Sequence, residues 1–376
     1  MWQMNKKSQK YAKRLQDTRG LLRKSRNFSV CIGQALEFPE GCGRTIIIEH
    51  KKYAVFRFQG KLGCIGNSCL HAGGPLGEGR IRDGRVYCAW HNWDWDFQTG
   101  RGYGDESVGG YAIWEENNKV YVDPAHVIMP LKVAPAHKKI TITPKVFDDG
   151  TLRILGISTT MMNLENPRAS TSEYTLEQAF SAFQGKQGFE TRVLKLRELR
   201  FRTCEGYYSR DKAACLWPCS LTQADKDDQL IDLYRALVEW CDIVIVATPI
   251  RWNSASSLYY KMQERLNCIQ NQITLYDRVL IKNKVAGFII TGGQDGVQAV
   301  AGSMMMFFSE LGFTFGQFPF VGWSRGWYNE NMKTNFGDAQ NSDLVSEAVK
   351  MIQRACELIA TYRNQQHHYS SHKRHK

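Results

Sequence analysis

The chain lacks several things that would have settled its class. No apolar run approaches the ~18 residues a membrane span requires. The opening MWQMNKKSQKYAKRL has neither the apolar stretch nor the small-residue cleavage site of a secretory signal. Eleven cysteines are scattered without a paired framework, so a reducing, cytoplasmic setting is expected rather than a secreted one. There is no compact Gly-x-Gly-x-x-Gly fingerprint, so a nicotinamide would bind over another cofactor rather than in a Rossmann crevice. No internal repeat is evident. Positive charge is scarce where a nucleic-acid face would need it. The formal net charge is +12, but residues 1–29 carry nine Lys/Arg against Asp17 alone, and residues 365–376 add three more cations. The stretch between is close to neutral, so the basic pI does not imply nucleic acid as a partner. At 376 residues, 43% hydrophobic and 23% charged, the chain reads as two globular domains with tails.

The most informative stretch runs from Cys69 to His91. Cys-Leu-His at 69–71 is followed, after sixteen residues, by Cys-Ala-Trp-His at 88–91. Two thiolates and two imidazoles are thus offered from two separate loops. Structural zinc also accepts Cys₂His₂, but such sites usually open with Cys-x₂₋₄-Cys rather than Cys-x-His. A chance pairing of buried cysteines and core histidines is the blandest alternative. With GGPLGEG after the first pair and WDWDFQTG after the second, the stretch closely resembles the Rieske [2Fe–2S] family. The resemblance implies that Cys69 and Cys88 hold one iron and His71 and His91 the other. Neutral imidazoles on the outer iron raise the potential above that of an all-cysteine cluster.

From Phe28 to Val122 the pattern is β. TIIIEH (45–50) and YAVFRFQG (53–60) have strand-like lengths, RVYCAWH enters the second ligand loop, and KVYVD (119–123) closes the region. The resemblance implies a small all-β sandwich over 30–124. Residues 1–29 read as a solvated basic extension, with a docking arm for an acidic redox partner as the sharper reading. A connector follows over 125–150.

At Leu152 the grammar changes. LRILGIS (152–158), VLKLREL (193–199), DIVIVAT (242–248), VAGFIIT (285–291) and FTFGQFPFVG (313–322) alternate with helical patterns. Buried β-branched runs separated by helices predict a flavodoxin-like α/β domain, a doubly wound five-stranded parallel sheet, over 151–364. In such sheets the ligand sits outside the carboxyl ends of the strands. Three loops fall there: STTMMNLENPRASTSE, TPIRWNSAS and TGGQDG. Ser170, Thr171 and Ser172 at a helix start supply hydroxyls and backbone N–H groups for a phosphate, and Arg168 adds charge. An ordinary Ser/Thr helix cap explains the same residues. Pro249, Ile250 and Trp252 suit the walls of a flat ring, while Gly292 and Gly293 permit close approach. Residues 151–364 resemble the NADPH-dependent FMN reductase branch of the flavodoxin-like superfamily. The resemblance implies FMN held by Ser158, Arg168, Ser170, Thr171 and Ser172 and by Thr248 through Trp252; Thr291, Gly292 and Gly293 in the third loop complete the expected site. The first loop is longer than usual, and Arg251 stands where an aromatic is commoner; it reads as a cationic partner for reduced flavin or as a surface ion-pair former. Cys204, Cys215 and Cys219 lie between the second strand and the next helix. Iron–sulfur flavoproteins of the superfamily have tighter spacings there and a fourth ligand, so these three read as buried or redox-sensitive thiols. His367, His368, His372 and His375, in the basic 365–376 segment, read as a tail rather than a metal site.

The two resemblances together imply an NAD(P)H-dependent flavin/iron–sulfur oxidoreductase. Nicotinamide gives electrons in pairs, a [2Fe–2S] cluster takes one, and FMN handles both. Electrons would pass from NAD(P)H through FMN and the cluster to a redox partner protein or small-molecule acceptor, with reverse flow open. Ala72, Ala89 and Trp90 add no loop disulfide, and Trp93 and Trp95 stand where high-potential relatives place Ser and Tyr. A potential near the low end of the family, about −150 mV, is therefore expected. A non-enzymatic carrier or redox sensor built from the same modules is the alternative. A terminal oxygenase is disfavoured: His126 and His137 are too few for a 2-His-1-carboxylate iron site. Related reductases often form dimers or tetramers, so a homo-oligomer is a further expectation.

Overall fold

The computed structural model describes residues 28–133, 140–292, 296–325 and 329–373, the side chains of 329–333 and 365–373 excepted. The basic extension before Phe28, His137, Gly293 and the terminal histidines therefore lie outside what is described. The chain divides into two compact units. Of the described residues, the first takes those up to 133 together with Tyr207–Ala214; the second takes Ile140–Gly206 and those from Cys215 onward.

In the first unit, the strands are β1 (Val30–Gln34), β2 (Gly43–Ile48), β3 (Lys51–Phe58), β4 (Lys61–Gly66), β5 (Arg80–Arg82), β6 (Arg85–Tyr87), β7 (Asp94–Asp96), β8 (Gly110–Glu116) and β9 (Lys119–Met129). Six of them form an antiparallel sheet in the order β1-β9-β8-β4-β3-β2, and β5-β6-β7 form a second, three-stranded sheet. Because successive side chains of a strand point to opposite faces, β3 feeds two cores. Tyr53 and Val55 pack with Phe38, Ile48, Val120 and Val122. Ala54 and Phe56 pack with Ile65, Leu76, Val86 and Trp95, and this second core also holds Cys69 and Cys88. The strand expected to stop at Asp123 continues to Met129. Irregular register around Tyr111 lets Val127 and Met129 pair again with Tyr111 and Gly110, so the connector begins as strand.

The second unit contains β10 (Leu152–Ser158), β11 (Phe189–Lys195), β12 (Ile243–Pro249), β13 (Val285–Gly292) and β14 (Thr314–Ser324). They form a five-stranded sheet in the order β11-β10-β12-β13-β14, parallel throughout. The described helices are α1 (Thr171–Ser181), α2 (Ser220–Ala224), α3 (Leu230–Arg235, widening into a π turn over Ala236–Trp240), α4 (Ser257–Tyr276), α5 (Val297–Leu311), α6 (Asn329–Gln340) and α7 (Leu344–Lys373). β12 is buried along its whole length, as a central parallel strand covered on both faces must be. α1 and α7 cover one face through Leu176, Phe180, Ala348, Met351 and Ile352. Gly156 lets α1 approach: a Cβ there would stand 2.9 Å from the Phe180 ring. One expectation needs correction. The strand read over 193–199 ends at Lys195, and Leu196–Glu198 turn as a 3₁₀ helix that buries Leu196 beside the edge strand β11. α6 was not legible, because NENMKTNFGDAQ carries no apolar stripe; its Phe336 nonetheless meets Tyr174 of α1 edge to face.

Candidate functional site

The two ligand loops of the first unit share one backbone design. Cys69 N–H donates to Gly74 O and Gly73 N–H to Cys69 O; Cys88 N–H donates to Trp93 O and Asn92 N–H to Cys88 O. Each loop thus closes five residues after its cysteine, with the fifth loop residue in the left-handed region: Gly73 at φ 80° and Asn92 at φ 59°. Both residue types tolerate that conformation. Asn67 ties the first loop to the sheet, its Oδ1 accepting from Gly77 N–H at 2.8 Å and Thr45 Oγ1 at 3.1 Å. Gly74 clears space for the cysteine of the other loop, since a Cβ there would lie 2.6 Å from Cys88 Sγ.

The four expected donors come together as two pairs. Cys69 and Cys88 hydrogen-bond to each other; that bond, then burial, lifts Cys69 far above the ordinary thiol range. The same bond holds Cys88 down at about 6, with the backbone N–H groups of Trp90 and His91 and the charge of Arg210 favouring its thiolate against burial. His71 Nδ1 and His91 Nδ1 stand 3.1 Å apart. Two nitrogens bound to one metal at about 2.1 Å, and at roughly 90–110°, would be about 3.0–3.4 Å apart. Among the described residues, no three His, Cys, Asp or Glu side chains gather where a single ion would sit. A thiol pair beside an imidazole pair is the arrangement two irons need.

His91 is oriented from its far side. Its Nε2 lies 2.7 Å from Ala214 O. A carbonyl only accepts, so Nε2 carries the proton and Nδ1 is left with its lone pair for a metal. Burial lowers the pKa of His91, which keeps the ring neutral. Tyr207 packs edge-on against the same ring at 4.9 Å. Arg210 Nη1 donates to Ala89 O at 2.8 Å and to Trp90 O at 3.3 Å, bracing the second loop. Trp93 stacks flat on His71 at 4.6 Å. Trp95 is 1% exposed, and its Nε1 has no regular hydrogen-bond partner. Its N–H favours the Cys69 thiolate, so the indole offers sulfur a donor. Tyr207, Arg210 and Ala214 left no mark in sequence reasoning. They lie more than a hundred residues from the loops, and Ala214 acts through its backbone.

In the second unit two of the expected phosphate residues, Ser170 and Ser172, meet Thr160 just past the end of β10. Thr160 Oγ1 is 2.8 Å from Ser170 Oγ and 3.3 Å from Ser172 Oγ. Ser170 caps α1 through Glu173 N–H, so three hydroxyls crowd a helix N-terminus beside the β10–β12 switch point, where such sheets bind ligands. Thr160 was missed although it stands two residues after Ser158. Ser158 itself is buried and bonds Glu173, which Arg197 and Lys195 also hold. Thr171 opens α1 and is half-buried. Arg168 and Arg251 are exposed and, among the described residues, form no ion pair; burial and then the charge of Arg168 lower the pKa of Arg251. Two guanidiniums without an ion-pair partner among the described residues, one of them only two residues before Ser170 in the chain, suit an anionic group. Thr248 is fully buried, and its Oγ1 accepts from Ser256 N–H. Pro249 pairs with Thr291, and Ile250 N–H donates to Thr291 O at 2.8 Å. Ile250 is buried under Gly292, where a Cβ would lie 2.8 Å from it. Trp252 is 83% exposed with φ 50°, at the tip of a turn closed by Arg251 and Ser254. A groove of about 370 Å³ lies along Val321–Trp323 and Ser342–Leu344, but Asp343 and Glu347 line it and would repel a phosphate.

Residues 28–114 match the Rieske [2Fe–2S] domain family, and residues 154–327 match the NADPH-dependent FMN reductase family. The chain joins a Rieske domain to an FMN reductase domain. The FMN reductase domain is similar to the 8-demethyl-8-aminoriboflavin-5′-phosphate synthase of Streptomyces davaonensis, 27% identical over 43% of this chain and 60% of that protein. The Rieske domain is similar to the chloroplastic chlorophyllide a oxygenase of Arabidopsis thaliana, 39% identical over 11% of this chain and 8% of that protein. Both relatives are thus spanned over less than two thirds of their length. Among solved structures, RosB with bound 8-demethyl-8-formylriboflavin-5′-phosphate aligns at 18% identity and a TM-score of 0.45, covering 60% of this chain and 88% of that one. The ferredoxin of carbazole 1,9a-dioxygenase from Nocardioides aromaticivorans aligns with 26% of this chain and 99% of its own, at 19% identity and a TM-score of 0.25. A Rieske [2Fe–2S] domain and an NADPH-dependent FMN reductase domain support a [2Fe–2S] cluster, FMN and NAD(P)H as cofactors. Among the described residues, no helix is long and apolar enough to cross a membrane.

Proposed function

We propose that the protein takes electron pairs from NAD(P)H at its FMN reductase domain and releases them singly, through its Rieske domain, to an external redox partner or small-molecule acceptor. The observation that carries the reading is the facing pair of His71 Nδ1 and His91 Nδ1 at 3.1 Å, with the other nitrogen of His91 held by Ala214 O. Cys69 and Cys88 would hold the inner iron and the two histidines the outer one. Bound there, the cluster supplies one-electron exchange; FMN supplies the change from pairs to single electrons.

The residues have separate tasks in this reading. Ala214 and Tyr207 fix the tautomer and tilt of His91, and Trp93 fixes His71. The core around Trp95, Val86 and Leu76 keeps water from the sulfurs, which lowers the reorganisation that electron transfer requires. Thr160, Ser170, Ser172 and Arg168 would bind the FMN phosphate. Arg251 stands within electrostatic reach of Arg168 and would counter negative charge on the flavin side of the site.

The test is anaerobic mixing of the purified full chain with NADPH or with NADH. Bleaching of the flavin absorbance, followed by the anisotropic EPR signal of a reduced [2Fe–2S] centre, is expected with at least one nucleotide. A flavin that stays oxidised with both would sink the reductase reading and leave a carrier or sensor.

A further inference from the structure

The stretch that orients His91 lies far from it in sequence. The chain leaves the second unit after Gly206, contributes Tyr207–Ala214 to the first and rejoins the second at Cys215. The contributed residues hold their own shape. Arg210 N–H donates to Tyr207 O at 3.0 Å and Ala214 N–H to Asp211 O at 2.9 Å, closing two short 3₁₀ turns. Asp211 Oδ1 also accepts from Ala213 N–H at 2.7 Å. Where the Ala214 carbonyl stands therefore depends on how the two ends of the stretch are held.

One side chain of α4 holds both ends. Five residues before Tyr207, Arg202 O accepts from Arg265 Nη1 at 2.7 Å. Five residues after Ala214, Cys219 Sγ accepts from Arg265 Nε at 3.2 Å, and three further on Thr222 Oγ1 accepts from Nη2 at 2.7 Å. The other N–H groups go to Asp228, Nη1 to Oδ2 at 2.9 Å and Nη2 to Oδ1 at 3.2 Å. A guanidinium has five N–H donors, and all five are engaged. The returning end is also tied through Trp217, whose Nε1 donates to Ile142 O at 3.0 Å and whose ring meets Tyr234 edge to face. The Tyr234 hydroxyl in turn donates to Arg265 O at 2.9 Å.

Arg265 and Asp228 form an ion pair with both side chains fully buried, an arrangement that rarely adds net stability over apolar residues of the same volume. What a fully bonded guanidinium adds is placement. Lysine, a point charge on a flexible stem, could not bond both ends of the stretch at fixed angles. Asp228 is itself fixed, Oδ1 accepting from Thr222 Oγ1 at 3.1 Å and from Leu230 N–H at 3.2 Å. The guanidinium plane is thus left with one setting.

We infer that Arg265 is a positioning residue for the Rieske centre: by gripping the chain on either side of Tyr207–Ala214, it holds the Ala214 carbonyl in line with His91 Nε2. Its own bonds all go elsewhere, so it acts along the chain rather than on a cluster donor. A carbonyl accepting from the far nitrogen makes the imidazole more basic, and a more basic ligand favours the oxidised metal. Loosening the grip should therefore raise the reduction potential. The inference rests on His91 being an iron ligand and not on the NAD(P)H reading.

The test is a redox titration of the full-chain holoprotein followed by EPR, with the histidine nitrogen couplings read by pulsed EPR. In Arg265→Lys the ratio of reduced to oxidised cluster at a fixed poise should rise about tenfold, about 59 mV for one electron. The coupling of one histidine should change, with iron and sulfide content kept. Should that variant not fold, Cys219→Ala with Thr222→Val removes two tethers and leaves the ion pair, whereas Cys219→Ser with Thr222→Ser keeps both acceptors. The first pair should move the potential upward and the second should restore it. A lower Tm with the potential and couplings of the folded protein unmoved would mean a purely structural role and overturn the inference. Absence of the Rieske signal from wild type would instead sink the cluster assignment beneath it.

Discussion

Gly74→Ala isolates how tightly the cluster loops are packed against each other. The backbone of Gly74 is not in the left-handed region, so the substitution brings no conformational penalty of its own. What it brings is a methyl group 2.6 Å from Cys88 Sγ and 3.0–3.1 Å from the Trp90 ring. A carbon–sulfur contact needs about 1 Å more than that, and overpacking a filled core costs about 1–3 kcal/mol. Here the cost falls on a cysteine whose N–H is tied to Trp93 O and whose carbonyl is tied to Asn92 N–H. Cys88 can move only by opening its own loop. The neighbouring Gly73 makes the matched comparison, since its Cβ would meet nothing nearer than Ser68 Oγ at 3.8 Å. Its φ of 80° is the only obstacle, and Asn92 meets the same demand in the sister loop. Gly73→Asn should therefore cost less than about 1 kcal/mol. Iron and sulfide assigned to the Rieske centre by EPR spin quantitation, with thermal unfolding alongside, read out both variants. Gly74→Ala should fall below about half of the wild-type cluster content, as 1–3 kcal/mol at the ligand implies, while Gly73→Asn stays near it. Equal cluster content in both variants would refute the reasoning.

Two further perturbations address the second unit. Burial alone would raise Glu173, but hydrogen bonds from Arg197, Ser158 and Lys195 outweigh it and hold the carboxylate at about 2, below its ordinary 4.5. A depressed folded-state pKa contributes stability above about pH 4.5 that is lost as the pH falls towards 2, here about 3 kcal/mol. Glu173→Gln should lower the urea midpoint at pH 7 and flatten its fall between pH 5 and 2; an unchanged acid limb would count against the network. Thr160→Val removes one hydroxyl from the Ser170–Ser172 group without touching the helix cap. If that group binds the FMN phosphate, flavin affinity should drop about tenfold, the worth of one hydrogen bond to a charged group, with little change in Tm. Ser170→Ala should cost about 1 kcal/mol of stability as well, because the cap goes with it; fluorescence titration of apoprotein with FMN separates the two.

What the sequence determined by itself was whatever local chemistry dictates. Cys69, His71, Cys88 and His91 stand out because the expected donors of each loop are only two or three residues apart. The five parallel strands are legible because a strand covered on both faces must be apolar throughout, as Ile243–Thr248 is. Only tertiary structure decided what surrounds those residues. That Ala214 holds the proton side of His91 could not be read, since a backbone carbonyl leaves no trace in residue identity. The exposure of Trp252 and the burial of Ile250, neighbours in one loop, follow from a left-handed turn rather than from composition. That Arg265 reaches Cys219 and Asn267 reaches Cys215 depends on how α4 lies against the segment after β11. Hydrogen bonds to sulfur and the packing of helix on loop are distances in space, and one dimension of sequence does not contain them.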